Sequence, residues 1–168
     1  MADSQIARFG DATRYKPGGK WDYALHVTLL GMLELGASTG DPKYAGFVEK
    51  STGSWIGPDG AISGYKLEDY NIDNIAPGKT VIALYELTKE ERYKKCADLL
   101  RKQLETHPRT SEGGFWHKQR YPRQMWLDGL YMASPFLAQY AGLFNEPALY
   151  DEVVKQLSLV DQATWDAK

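Results

Sequence analysis

Apolar residues recur at helical spacing in six segments of the chain, and turn-forming residues separate these segments. Asp41-Pro42 is typical of a helix start, with the aspartate as N-cap and the proline in the first turn. His107-Pro108 ends the fourth pattern, and Ser134-Pro135 predicts a kink inside the fifth. The predicted helices cover Trp21–Leu35, Pro42–Trp55, Pro77–Leu87, Glu90–Thr106, Trp126–Phe144 and a last segment from Pro147 to beyond Val160.

The segments outside these helices are less regular. Ala61–Tyr65 can form a short strand or an extended loop, and Arg109–Gln124 is a long loop that contains glycines. The N-terminal residues are weakly patterned, with a short helix as one option over Ser4–Phe9. Helices therefore dominate the prediction, and the two loops are the places where other structure can occur.

One arrangement occurs three times along the chain: an apolar helix, a short break with an acidic start, and an amphipathic helix. The breaks read TGDPKY, TKEERY and FNEPALY and end at Tyr44, Tyr93 and Tyr150. The first helix of each pair is apolar on nearly all sides, which predicts an inner and an outer layer. We therefore predict one all-α domain over residues 1–168, built from three helical hairpins as an α/α solenoid or a closed α/α toroid. Its polar and aromatic loops would gather on one rim.

Charge and composition narrow the choice of partners. A net charge of −2 gives no electrostatic reason to expect nucleic acid or an anionic membrane as a partner. No apolar run approaches the roughly 18 residues that cross a bilayer, and the N-terminus lacks the apolar core of a signal peptide. We therefore expect a cytoplasmic protein, although a signal that had been removed would leave the same sequence.

The stretch Glu112–Phe136 concentrates aromatic and charged residues, and Asp128 lies near its centre among apolar neighbours. Burying a lone carboxylate is costly unless it is paired or takes part in chemistry. Aromatic faces beside carboxylates, an imidazole and a guanidinium suit a sugar, which offers flat C–H faces and many hydroxyl groups. The stretch therefore predicts a carbohydrate site around Asp128.

A second carboxylate, Asp73, precedes the third helix, much as Asp128 begins the fifth. Both belong at the same rim, one hairpin apart, so we expect them to meet. Two close carboxylates repel, so one of them keeps its proton to higher pH. The apolar neighbours of Asp128 also favour its protonated form. The helix N-terminus acts in the opposite direction, because it favours the anion. We expect the first two effects to prevail and Asp128 to act as an acid. The structural alternatives are an N-cap or Asx turn for Asp73 and an ordinary helix-start carboxylate for Asp128.

Three other residues are candidates for substrate binding. His117 lies in a loop, where histidines are usually surface residues, but its dense aromatic surroundings favour a binding role. Trp126 and Tyr23 could stack on a sugar or donate hydrogen bonds to it, with core packing as the alternative. His26 and His107 lack such surroundings and are interpreted as structural or exposed. No cluster has the spacing of metal ligands, and neither a phosphate loop nor a serine nucleophile elbow occurs.

Five segments of the chain resemble the unsaturated rhamnogalacturonyl hydrolases, a glycoside hydrolase family related to the unsaturated glucuronyl hydrolases. They are KWDY at 20–23, TGDPKY at 39–44, NIDNIAPGK at 71–79, PRTSEGGFWHK at 108–118 and YPRQMWLDGLYMASPF at 121–136. The last two are long and specific, and the resemblance runs over nearly all of the chain. It implies an (α/α)6 barrel, a toroid of six hairpins with six inner and six outer helices.

The resemblance also implies the chemistry. These enzymes remove the 4,5-unsaturated uronic acid that polysaccharide lyases leave at the non-reducing end of an oligosaccharide. An acid protonates C4 of the enol ether, water adds at C5, and the hemiketal opens to release a 5-keto uronate. By motif, Asp128 in MWLDG is the general acid/base and Asp73 in NIDNI is the partner carboxylate. Tyr23 in KWDY, His117 in FWHK and Trp126 in MWLD match substrate-binding positions. No metal or organic cofactor is implied.

Members of that family are roughly twice as long as this chain, which predicts that it is the N-terminal half of such an enzyme, with about half of the barrel. One alternative is a non-catalytic carbohydrate-binding or interaction module built from a half barrel. A half barrel would also expose apolar flanks, and a second copy rotated by half a turn, or a complementing chain, would cover them.

Overall fold

The structure is a computed structural model and describes residues 1–166. Helices dominate this part of the chain, and they confirm the three predicted hairpins. The α-helices are α1 (Ala2–Arg8), α2 (Tyr23–Thr39), α3 (Pro42–Gly53), α4 (Gly78–Thr88), α5 (Glu91–Thr106), α6 (Leu127–Phe144) and α7 (Ala148–Thr164). Short 3₁₀ turns lie at Ala12–Arg14, Pro17–Gly19, Leu67–Asp69 and Ile72–Asn74.

Helix α2 continues one turn beyond the predicted end at Leu35. The residue that adopts the left-handed capping conformation is Gly40, with φ of 70°, and its N–H donates to the carbonyl of Gly36 at 2.9 Å. Gly36 has a different role, because a Cβ placed there would lie 3.3 Å from the Cβ of Tyr44. The first glycine therefore permits a close approach of two helices, and the second one ends α2.

Helix α3 begins as predicted, because the side chain of Asp41 accepts the N–H of Lys43 at 3.0 Å. It ends at Gly53, slightly before the predicted end at Trp55. Helix α6 extends on both sides of Pro135, whose ring nitrogen carries no hydrogen and leaves one helical hydrogen bond unmade. Local sequence thus predicts most helix starts correctly and places some ends a few residues away.

The chain forms two compact units, which are described separately. The first comprises Met1–Tyr65 and Pro77–Asp98, and in it α2 packs against α3 and α4. Its buried core consists of Leu25, Leu29, Met32, Phe47, Val48, Val81, Ile82 and Leu84. The expectation of one domain over residues 1–168 stays a prediction, and its last two residues lie outside the described range.

The second unit comprises Lys66–Ala76 and the chain from Leu99 onwards. Helix α6 packs against α7 and against the 3₁₀ turn Ile72–Asn74. The buried core of this unit includes Ile72, Ile75, Leu100, Leu104, Phe115, Phe136, Leu137 and Tyr140. The turn before α4 and the start of α6 are therefore held together, and both carry predicted site residues.

The predicted strand or extended loop at Ala61–Tyr65 is an extended loop. Within residues 1–166 the bridges are isolated pairs, of which Ile56 with Ile62 is one. None of the helices in this range combines the length and the apolar character needed to cross a membrane.

Candidate active site

Two loop segments pair beside the first turn of α6. Asn71 and Lys118 form an antiparallel bridge, and the N–H of Ile72 donates to the carbonyl of His117 at 3.0 Å. The Asx-turn role that we considered for Asp73 belongs to Asn71, whose Oδ1 accepts the N–H of Asp73 at 3.1 Å. The side chain of Asp73 is therefore available for other contacts, and it lies close to the bridge that Asn71 forms beside His117.

Two buried side chains, one on α5 and one directly after its end, hold this pair of segments from behind. Gln103 Nε2 donates to the carbonyl of Asn71 at 3.1 Å, and it lies 3.3 Å from Nδ1 of His107. Nε2 of His107 in turn donates to the carbonyl of Trp116 at 2.7 Å. The interpretation of His107 as structural is confirmed, because it ties α5 to the residue just before His117.

Acid is expected to destabilise the fold through two buried histidines. Burial lowers the pKa of His107 to about 4 and that of His26 to about 3, so both rings are neutral in the folded protein at pH 7. Between these values and the ordinary pKa of about 6.5, the unfolded chain binds the protons and the folded chain does not. Stability that is present above pH 6.5 is therefore lost as the pH falls, by about 2–3 kcal/mol for His107 alone.

Urea denaturation at a series of pH values between about 7 and 4 measures this loss. His107→Gln keeps a hydrogen-bonding side chain but cannot bind a proton in this range, so it should remove the share of the pH dependence that belongs to His107. If the free energy of unfolding of this variant fell with pH as steeply as that of the unchanged protein, the assignment to His107 would be wrong.

Four polar side chains meet where the paired segments adjoin α6. Nζ of Lys118 donates to Oδ2 of Asp73 at 2.5 Å. Nε2 of His117 lies 3.4 Å from Oδ1 of Asp73 and 3.9 Å from Oδ2 of Asp128. One oxygen or nitrogen atom from each of Asp73, His117 and Asp128 lies within 4.8 Å of the others. The expected meeting of the two carboxylates is confirmed, with an imidazole nitrogen beside both.

The burial of the two carboxylates differs from the expectation. The side chain of Asp128 is 53% exposed, whereas that of Asp73 is only 7% exposed. The apolar neighbours of Asp128 along the chain do not enclose its carboxylate, because successive helical residues point in different directions. Leu127, for example, is 71% exposed. The desolvation that we expected to favour the protonated form of Asp128 is therefore absent from this structure.

His117 is nearly inaccessible to solvent, with 1% of its side chain exposed. Burial lowers its pKa below 6.5, while Asp73 and Asp128 act in the opposite direction and Lys118 acts with burial. The close carboxylates alone would favour the imidazolium, but the ammonium of Lys118 offsets one of them and burial prevails. The ring is therefore neutral at pH 7, and its Nε2 faces both carboxylates without the charge of an imidazolium.

Trp126 contacts other rings of the same loop. Its indole stacks on His117, with centroids 4.2 Å apart and planes at 9°, and on Tyr121, with centroids 5.0 Å apart. Its Nε1 donates to Oε1 of Gln124 at 3.0 Å. Trp126 is 37% exposed, so part of the ring remains accessible. The indole thus fixes the orientation of the His117 ring, and its role in substrate binding stays a prediction.

Tyr23 lies in the other compact unit, as the first residue of α2. Its side chain is 45% exposed, so core packing, the alternative role that we considered, does not describe it. A role in substrate binding stays a prediction for this residue as well.

Asp73, His117 and Asp128 form the group that could hold a metal ion among the residues 1–166. Two carboxylates and an imidazole are ligands that zinc accepts. However, the ammonium of Lys118 already lies against Asp73 and supplies a positive charge at the place where a metal would add one. The donor set therefore fits an ion pair with a neighbouring acid better than it fits a metal centre.

Comparison with known proteins identifies the family. The model of Glycosyl Hydrolase Family 88 matches residues 1–168, which is the whole chain. The chain belongs to this glycoside hydrolase family. The predicted resemblance to unsaturated uronyl hydrolases is thereby confirmed at the level of the family.

Solved structures agree on the fold. A family 105 glycoside hydrolase from C. acetobutylicum ATCC 824 matches with 42% identity and a TM-score of 0.90, over 99% of this chain and 45% of that chain. A possible family 105 member from Klebsiella pneumoniae matches with 25% identity and a TM-score of 0.75, over 87% of this chain and 38% of that one. A third possible member, from Salmonella enterica, matches with 23% identity and a TM-score of 0.76, over 99% of this chain and 50% of that one. At this identity it supports the fold alone.

The family 88 chain therefore spans about half the length of the enzymes that it resembles in structure. Its fold is all-α, and it corresponds to about half of the (α/α)6 barrel that the resemblance implies.

Proposed function

We propose that this protein hydrates the C4=C5 double bond of an unsaturated uronic acid at the non-reducing end of a lyase-generated oligosaccharide, and that Asp128 is the general acid/base. The observation that carries this proposal is the contrast between the two carboxylates. Asp128 is exposed and can reach a sugar, whereas Asp73 is buried and bonded to Lys118. Membership in a glycoside hydrolase family supports the same reaction class.

In the proposed reaction the protonated carboxyl of Asp128 donates its proton to C4 of the enol ether, which leaves positive charge at C5. A water molecule attacks C5 while the carboxylate of Asp128 takes up one of its protons, which restores the acid. Net addition of water gives a hemiketal at C5. Its ring opens to a 5-keto group and leaves a hemiacetal at C1, which breaks down to free the hydroxyl group of the next sugar and release a 5-keto uronate. The residue that donates the proton thus also receives one, and no other reactant is needed.

The neighbours of Asp128 support its two roles. Nε2 of the His117 ring lies 3.9 Å from Oδ2 of Asp128, so its N–H can approach the anion that forms after proton transfer. The ion pair of Asp73 and Lys118 holds Asp73 near the site without leaving its charge unpaired. We assign Asp73 to orienting His117 and the sugar, and Tyr23 and Trp126 to contacts with the substrate.

For the substrate, we propose an unsaturated galacturonyl group linked to rhamnose, as in fragments of rhamnogalacturonan. This assignment rests on the long motifs at 108–118 and 121–136. Assembly with a second copy or a complementing chain stays a prediction.

The test is incubation of the protein with an unsaturated disaccharide made by a rhamnogalacturonan lyase. We expect the ultraviolet absorbance of the C4=C5 bond to decline with time. Binding of the disaccharide, measured by calorimetry, without any decline would instead favour the carbohydrate-binding module. The same assay with an unsaturated glucuronyl disaccharide measures the preference for the sugar, and a faster decline there would contradict the proposed substrate.

A further inference from the structure

Nearly every part of His117 has a partner in the protein. Its N–H donates to the carbonyl of Gln124 at 2.7 Å, and its carbonyl accepts the N–H of Ile72 at 3.0 Å. Its ring stacks on Trp126, and its Nε2 faces the two carboxylates. The exception is Nδ1, which is buried and has no hydrogen-bond partner among the described residues.

A second buried polar atom near His117 is also without a partner. Ser134 lies on α6 and is 5% exposed, and its Oγ makes no hydrogen bond within residues 1–166. Both residues line one small cavity, which offers about 10 Å³ to the centre of a water-sized sphere and whose other walls include Leu130 and Ala133. Leaving two buried polar atoms without hydrogen bonds is unfavourable, because each has lost its bonds to water without replacing them. A cavity with polar atoms in otherwise apolar walls is the kind of place that holds an ordered water molecule.

Gly129 has no side chain, and this leaves space beside the imidazole of His117. A Cβ at this position would lie 3.4 Å from Nδ1 of His117 and 3.7 Å from Cγ2 of Ile72. Any larger side chain would therefore extend into the region next to the nitrogen. One water molecule needs roughly 10–15 Å³ of such space, so the cavity lies at the lower limit for a single one.

The position of the ring proton follows from the two sides of the imidazole. Nε2 faces two carboxylate oxygens, which only accept hydrogen bonds, so a neutral ring places its proton there. Nδ1 then carries a lone pair and needs a donor. The hydroxyl of Ser134 can donate, but no direct bond joins it to Nδ1, so a molecule that both accepts and donates is needed between them.

We propose that a buried water molecule in this cavity accepts a hydrogen bond from Oγ of Ser134 and donates one to Nδ1 of His117, which makes Ser134 the positioning residue that fixes the Nε2–H tautomer. His117 then presents a donor to Asp73 and Asp128 and cannot compete with Asp128 as a base. The effect on turnover rests on the proposed function, whereas the tautomer and the water do not.

Nitrogen-15 NMR of the histidine rings tests the tautomer directly. The chain has only three histidines, so their ring signals can be assigned with one variant each. At pH 7 we expect Nδ1 of His117 to have the shift of an unprotonated ring nitrogen and Nε2 that of a protonated one. Ser134→Ala should move both shifts towards each other as the second tautomer becomes populated, without loss of the fold by circular dichroism.

Ser51→Ala is the matched control, because Ser51 is equally buried but its hydroxyl bonds to the carbonyl of Tyr15 in the first unit. It should leave the His117 shifts unchanged. Ser134→Thr keeps the hydroxyl and should restore the shifts that Ser134→Ala alters. A proton on Nδ1 in the unchanged protein, or identical His117 shifts in the unchanged protein and Ser134→Ala, would overturn the proposal.

Turnover provides a second readout. Ser134→Ala should lower kcat about fivefold with little change in KM, because a hydrogen bond that holds His117 is lost while substrate contacts remain. If the unchanged protein does not hydrate the double bond, the proposed function fails, but the ring shifts still decide the role of Ser134. A crystal structure that shows this cavity dry would also overturn the proposal.

Discussion

Asp128→Asn is expected to lower the rate of double-bond hydration by about a hundredfold to ten-thousandfold, which is the usual contribution of a general acid/base. The amide has nearly the shape of the carboxyl group but cannot give a proton to C4 or take one from water. Because the side chain is 53% exposed and is not part of the core, the variant should fold as well as the unchanged protein. The measurement is the initial decline in absorbance of an unsaturated disaccharide, with binding measured in parallel.

Asp151→Asn is a suitable control for this experiment. Asp151 also lies in the first turn of a helix, α7, and is exposed, so the same change in charge and helix-dipole interaction occurs there without the chemistry. It should keep the full rate. An Asp128→Asn protein with undiminished activity would remove Asp128 from the mechanism, and an equal loss in both variants would show that charge rather than proton transfer is responsible.

Lys118→Met is expected to lower the free energy of unfolding by about 3 kcal/mol. The ammonium of Lys118 is the cation bonded to the buried Asp73, and both side chains are largely buried, with 16% and 7% exposed. Methionine retains the apolar part of the lysine side chain but leaves the carboxylate without a counter-charge. The loss therefore reflects the cost of a buried, unpaired carboxylate, and urea denaturation at pH 7 measures it.

Two further variants isolate this cause. Lys102→Met makes the same substitution at an exposed position of α5 and should change the free energy of unfolding by less than about 0.5 kcal/mol. The double variant Lys118→Met with Asp73→Asn removes both charges, and it should recover a large part of the loss. A double variant no more stable than Lys118→Met would show that the contact matters through its packing and not through charge.

The local signals in the sequence were sufficient for the helices and for the order of the hairpins. Capping residues such as Asp41 act within one turn, and helical periodicity is set by neighbours three and four positions away. The helix starts and the hairpin repeat placed Asp73 and Asp128 at the beginnings of two inner helices, one hairpin apart, and so predicted that the two carboxylates meet. These features depend on short-range chemistry, so they can be inferred without knowing how the chain folds back on itself.

The residues that the sequence failed to single out are those whose roles depend on distant partners. Lys118 is part of the FWHK motif, but a loop lysine ordinarily points into solvent, and its contact with Asp73 crosses from one loop segment to another. Gln103 looks like any polar residue of an amphipathic helix until its bond to the Asn71 carbonyl is seen. The sequence carries no local signal for Lys118, because its role follows from the burial of Asp73, which only the tertiary structure decides.

The sequence by itself determined an all-α chain of three hairpins, the family and the pair of carboxylates that the proposed chemistry uses. The tertiary structure alone decided which carboxylate is buried. Asp128 was expected inside an apolar shell because its neighbours along the chain are apolar, but side chains on a helix diverge around the axis and leave it exposed. Asp73 is enclosed because two loop segments and the start of α6 converge on it, and burial of this kind depends on packing between distant segments.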